Sequence, residues 1–136
     1  MAGELILIVE DNEKNRKLER DVLQFHGYQT VEAETGEEGV RLAQTSPPAL
    51  VLMDIQLPGI NGIEALGQLR ADPRTRGIPV IAVTASAMTQ DRQKIMAAGF
   101  AAYQSKPINV KEFVAAVPQT LDPAPSAGGR RRASAR

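Results

Sequence analysis

The sequence predicts an α/β fold, a doubly wound sheet of five parallel strands with five helices. Two observations predict it. Strand-like apolar segments alternate five times with segments of helical character, the pattern of an open parallel sheet. Two of the runs, Leu5-Ile6-Leu7-Ile8-Val9 and Ala49-Leu50-Val51-Leu52-Met53, are apolar throughout. Strands buried on both faces require this. Both runs end abruptly in acid, at Glu10-Asp11 and at Asp54.

The elements follow in order. After the first strand, Leu18, Val22 and Phe25 recur at helical spacing, and Gly27 stands where a helix C-terminus needs a left-handed residue. His26, just before it, reads as a capping or surface residue. Tyr28 to Ala33 forms the second strand. Thr35-Gly36-Glu37-Glu38 places acids at a helix start, and the helix runs to about Thr45, before Pro47-Pro48. The third strand ends at Asp54. A loop with Pro58, Gly59, Asn61 and Gly62 leads to a third helix, around Ile63–Arg70. Val80–Val83 is the fourth strand, closed by Thr84. The fourth helix spans roughly Thr89–Ala98 and stops at Gly99. The fifth strand lies near Ala101–Gln104 and ends at Ser105-Lys106-Pro107. The last helix begins near Asn109, and Pro118 is expected to cut it short.

Composition narrows the function. The 136 residues contain no Cys, no Trp, one His and five aromatic residues. Disulfides, thiolate zinc sites and cysteine nucleophiles are excluded, as is a multi-histidine metal centre. Five aromatics are too few for a nucleic-acid stacking surface. No apolar run reaches the ~18 residues of a membrane span. Met1-Ala2-Gly3-Glu4 lacks the basic start of a signal peptide, so a cytoplasmic location is expected. The formal net charge is zero, but residues 123–136 hold four Arg and no acid. The acidic body, 1–121, is expected to form the domain. Residues 122–136 read as a low-complexity, disordered basic tail. An acidic body argues against direct DNA binding.

In a parallel sheet the residues beyond the C-terminal strand ends share one rim, and ligands bind there. That rim receives Glu10, Asp11, Asp54, Thr84 and Lys106. Two unit charges at ~4 Å repel by about 4 kcal/mol at an effective dielectric near 20. Three converging carboxylates therefore call for a proton, a lysine or a divalent cation, and an all-oxygen donor set suits Mg²⁺.

Four segments carry a resemblance: Ile8-Val9-Glu10-Asp11-Asn12, Leu52-Met53-Asp54-Ile55-Gln56-Leu57-Pro58, Val83-Thr84-Ala85 and Ser105-Lys106-Pro107. They resemble the response-regulator receiver domain of two-component signalling, the CheY-like superfamily, over about residues 4–121. The Glu-Asp-Asn variant and the Thr84-Ala85-Ser86-Ala87-Met88 stretch look most like single-domain regulators of the DivK type. The resemblance implies a flavodoxin-like strand order of 2-1-3-4-5. It implies that Asp54 is the phosphoacceptor, and that Glu10, Asp11, Asp54 and the backbone carbonyl of Gln56 hold Mg²⁺ or Mn²⁺. Lys106 would pair with Asp54 and then with the phosphoryl group, its bond to Pro107 being cis. Thr84 would donate its hydroxyl to that group, with Tyr103 turning inward behind it, and the small Ala85 would keep the acceptor open.

Gln56 and Ser86 stand at the positions that tune phosphoryl lifetime in such domains. Neither is an acid, so slow loss of the phosphoryl group is expected. The implied partners are a sensor histidine kinase or histidine phosphotransfer protein, and a downstream protein docking on the fourth helix, fifth strand and fifth helix. A monomer or weak dimer is expected.

Alternatives carry less. A flavin phosphate would meet Glu10-Asp11-Asn12-Glu13, a loop of the wrong sign. An aspartyl-phosphate phosphatase would need an acid where Gln56 stands. An inert interaction module of the same fold leaves the full set of rim residues without a purpose.

Overall fold

The computed structural model describes residues 3–85 and 89–121, with residues 89 and 90 in backbone only. The elements are β1 (Leu5–Val9), α1 (Glu13–Phe25), β2 (Gln29–Ala33), α2 (Gly36–Thr45), β3 (Leu50–Asp54), α3 (Gly62–Ala71), β4 (Val80–Thr84), α4 (Thr89–Ala97), β5 (Ala102–Ser105) and α5 (Val110–Leu121). The sheet order is β2-β1-β3-β4-β5, with every neighbouring pair parallel. The expected architecture and strand order are both present. Ser86, Met88 and the tail 122–136 lie outside the described residues.

The continuous apolar runs have the cause inferred from sequence. Successive side chains of a strand point to opposite faces, and both faces are covered. Leu7, Val9, Val51, Met53, Val80 and Ala82 pack on one side, against Val40 and Ala43 of α2, Ala65, Leu66 and Leu69 of α3, and Ile95 of α4. Ile6, Ile8, Leu50, Leu52 and Ile81 pack on the other, against Leu23 of α1 and Phe113 and Val117 of α5.

The helix starts are written locally. The side chains of Asn12, Thr35, Asn61 and Asn109 each accept a backbone N–H three residues on, satisfying one orphan donor of the helix that follows. At Asn61 the Glu64 carboxylate returns the bond, completing a capping box. Gly27 closes α1 at φ +91°, after His26 at the C-cap.

One expectation is corrected, at Pro118. The helix that the spacing of Leu18, Val22 and Phe25 marks is present, with Glu19 and Leu23 as its buried line, whereas Leu18 is 39% and Phe25 86% exposed. Val22 is half-buried. Arg16 and Arg20 both bond Glu32 on β2, which fixes the rotation of the helix and turns Leu18 and Phe25 outward. Pro118 does not end α5, which continues to Leu121. Its ring is exposed, so it removes one helical hydrogen bond without meeting the core, and Leu121 still packs against the α1 side of the sheet.

Candidate functional site

The strand register sets the site. Asp54 ends β3 beside Val83 of β4, and Ile55 donates its N–H to the Val83 carbonyl at 2.9 Å. Glu10 continues β1, donating to the Ala33 carbonyl at 3.0 Å. Lys106 follows β5, and its N–H donates to the Thr84 carbonyl at 2.8 Å. Glu10, Asp54, Thr84 and Lys106 therefore share the rim beyond the C-terminal strand ends.

Carboxylate oxygens of Glu10, Asp11 and Asp54 lie within 4.8 Å of one another. Glu10 and Asp54 are buried at 1% and 2% exposure, and Asp11 is exposed. Lys106 Nζ lies 2.9 Å from Glu10 Oε1 and 3.0 Å from Asp54 Oδ2. Two backbone N–H groups add to this: Asn12 donates to Glu10 Oε2 at 3.1 Å, and Gln56 donates to Asp54 Oδ1 at 3.0 Å. The bond between Lys106 and Pro107 is cis.

Burial and the Glu10 charge push the Asp54 carboxyl up to about 7, against the lowering effect of Lys106. Burial alone would lower the Lys106 ammonium. Its hydrogen bonds to Glu10 and Asp54 outweigh that and hold its pKa above the usual range. One lysine thus faces two buried acids, with a third at the surface. An oxygen donor set with excess negative charge fits a hard divalent cation, which would relieve the remaining repulsion.

The β3–α3 junction is tightly built. A Cβ on Gly62 would stand 2.5 Å from the Asp54 carbonyl oxygen, so only glycine lets α3 start this close to the acid. The Gly62 N–H donates to the Ile55 carbonyl at 3.1 Å.

On the other side of Asp54, the Gln56 side chain bridges two loops. Its Nε2 donates to Thr84 Oγ1 at 2.9 Å, and its Oε1 accepts the Ala85 N–H at 3.1 Å. Tyr103 is half-buried on β5, opposite Ala82, with the Arg92 guanidinium 5.4 Å from the centre of its ring.

Two features were not read from the sequence. One is this carboxamide bridge. The other is Glu19, a carboxyl on α1 at 2% exposure, whose Oε2 is buried without a hydrogen-bond partner. Burial, then the Glu10 charge, raise its pKa to about 8. The available signal for Glu19 was its place four residues before Leu23 on one helix face.

No helix among the described residues is long and apolar enough to cross a membrane.

The sequence pattern of the response regulator receiver domain matches residues 6–118. The polar-differentiation response regulator DivK of Brucella ovis is 47% identical over 116 residues, spanning 85% of this chain and 94% of that protein. The receiver domain of a sensor histidine kinase from Pseudomonas aeruginosa, solved with magnesium coordinated in its active-site cleft, superposes with a TM-score of 0.82 at 33% identity. That match covers 88% of this chain and 98% of the other. A CheY-like receiver domain protein from Methanospirillum hungatei gives a TM-score of 0.79 at 30% identity, over 89% of this chain and 95% of that one.

Proposed function

This chain belongs to the response regulator receiver domain family, and from that premise we propose that it is a phosphorylation-operated switch with Asp54 as its acceptor. The observation that carries the reading is the Asp54 carboxylate, buried at the rim between Lys106 and two further acids.

An Asp54 oxygen attacks the phosphorus of a phosphohistidine on a sensor histidine kinase or phosphotransfer protein. The P–N bond breaks, its electron pair stays on the imidazole, and an aspartyl phosphate remains. Glu10, Asp11 and Asp54, with the Gln56 backbone carbonyl, would hold Mg²⁺ or Mn²⁺. When bound, the cation neutralises charge developing on the phosphoryl oxygens. Only ionised Asp54 attacks, and Lys106 favours that form. The added charge of about −1.5 to −2 then draws Lys106 and the Thr84 hydroxyl. Tyr103 follows, changing the face made by α4, β5 and α5, where a protein target docks.

Gln56, and Ser86 in the sequence, put no acid at the two lifetime-tuning positions to activate water, so the phosphoryl group is lost slowly. The protein acts by changing contacts rather than by turnover, in the cytoplasm. Residues 1–121 form the domain, with 122–136 as its tail.

Incubation with acetyl phosphate and Mg²⁺ tests the reading by mass. One phosphoryl group on the wild type and none on Asp54→Asn is expected. No adduct on the wild type would favour an inert interaction module instead.

A further inference from the structure

The Gln56 carboxamide holds two groups that a phosphoryl group on Asp54 would need. Thr84 and Ala85 close β4, the strand beside Asp54. A new anion on Asp54 draws hydrogen-bond donors, and that neighbouring strand end carries the Thr84 hydroxyl and the Ala85 N–H. One side chain holds both: the Ala85 N–H donates to Gln56 Oε1 at 3.1 Å, and Thr84 Oγ1 accepts from Gln56 Nε2 at 2.9 Å, which fixes where the hydroxyl stands. The amide orientation is fixed chemically: the Ala85 N–H must meet the carbonyl oxygen, which leaves the NH₂ for Thr84 Oγ1.

We propose that Gln56 is a latch, a positioning residue that pins the Thr84 hydroxyl through its oxygen and occupies the Ala85 N–H in the resting state, and must let go of that N–H, and let Thr84 move, before the two can bind the phosphoryl group. This rests on Asp54 being the acceptor. It differs from a role in orienting water, because the side chain acts on the donors and acts before the phosphoryl group arrives.

Release has a place to go. A cavity of ≈ 190 Å³ adjoins the pair, lined by Gln56, Thr84, Asp91, Lys94 and Ile95 among others. A liquid water takes up roughly 30 Å³, so the cavity has room for a displaced carboxamide. The latch is also matched to its load. Two modest net hydrogen bonds make the open form a minority, and phosphoryl capture is slowed by that fraction. They remain weak enough for a doubly charged group to break.

Gln56→Met keeps the length of the side chain and removes both bonds, and Gln56→Ala removes the bulk as well. In the unphosphorylated protein, both variants are expected to raise amide exchange at Ala85 by about 3- to 30-fold, the loss of a net hydrogen bond or two. With acetyl phosphate and Mg²⁺, Gln56→Met is expected to form the adduct faster by a similar factor, about 3- to 30-fold. Unchanged Ala85 exchange overturns the latch. So does a Gln56→Met adduct that forms no faster than the wild-type adduct. If the wild type forms no adduct, it is the acceptor reading that fails, and the exchange data still report whether the two bonds exist.

Discussion

Lys106 reaches across β4 to Asp54: its Nζ, beyond the end of β5, lies 3.0 Å from Asp54 Oδ2 on β3. A lysine at the edge of the sheet thereby sets the charge of a buried acid near its centre. Asp54 stands at about 7 because burial and Glu10 raise it more than Lys106 lowers it. Removing the ammonium leaves only the raising effects.

Lys106→Met is therefore expected to move the Asp54 titration upward, beyond about 7, in metal-free protein. Carboxyl ¹³C shifts followed against pH read this directly. A titration that stays in place or moves down would show that the ion pair does not control the acid.

Glu19 makes stability depend on pH in a defined direction. Its pKa is about 8 in the fold against an ordinary value of 4.5. Between these values the native state keeps a proton that the unfolded chain releases, so stability falls as pH rises through the window. It is fully present below about 4.5 and lost above about 8. Asp54, at about 7, contributes in the same sense without metal. Glu19→Leu is expected to flatten much of this slope and to add about 2–4 kcal/mol at pH 8.5. Urea unfolding at pH 5, 7 and 8.5 measures it. A wild-type protein that grows more stable across the window would contradict the assignment.

Pro118 carries a cost confined to the backbone. Four residues before it, the Val114 carbonyl lacks the N–H that a helix would supply. Pro118→Ala is expected to stabilise the protein by about 1–2 kcal/mol, less than a mid-helix replacement because the position lies in the last turn. Thermal unfolding at fixed pH checks it, and a lower midpoint would mean that the ring packs usefully.

The parts legible in the sequence were those with a local signature. Leu5–Val9 and Leu50–Met53 announce burial on both faces through composition alone. Glu10, Asp11, Asp54 and Lys106 declare a shared rim because parallel strands end together. The phase of α1 was not legible: Leu18, Val22 and Phe25 imitate an inward stripe, while the rotation is set by Arg16 and Arg20 reaching Glu32 on another element. Glu19 was hidden for the same reason. The Gln56 bridge joins loops 28 and 29 residues apart, and no spacing encodes it.

The junction at Gly62 gives the site unequal stiffness. Backbone pressed on backbone, with the Asn61–Glu64 box behind it, leaves the α3 flank no slack. That helix is also anchored by Ala65, Leu66 and Leu69, whereas among the described side chains α4 buries Ile95. The α3 side of Asp54 is thus closed by backbone contact that the missing Gly62 methyl group permits, while the other side carries the Gln56 bridge to Thr84 and the cavity beside it.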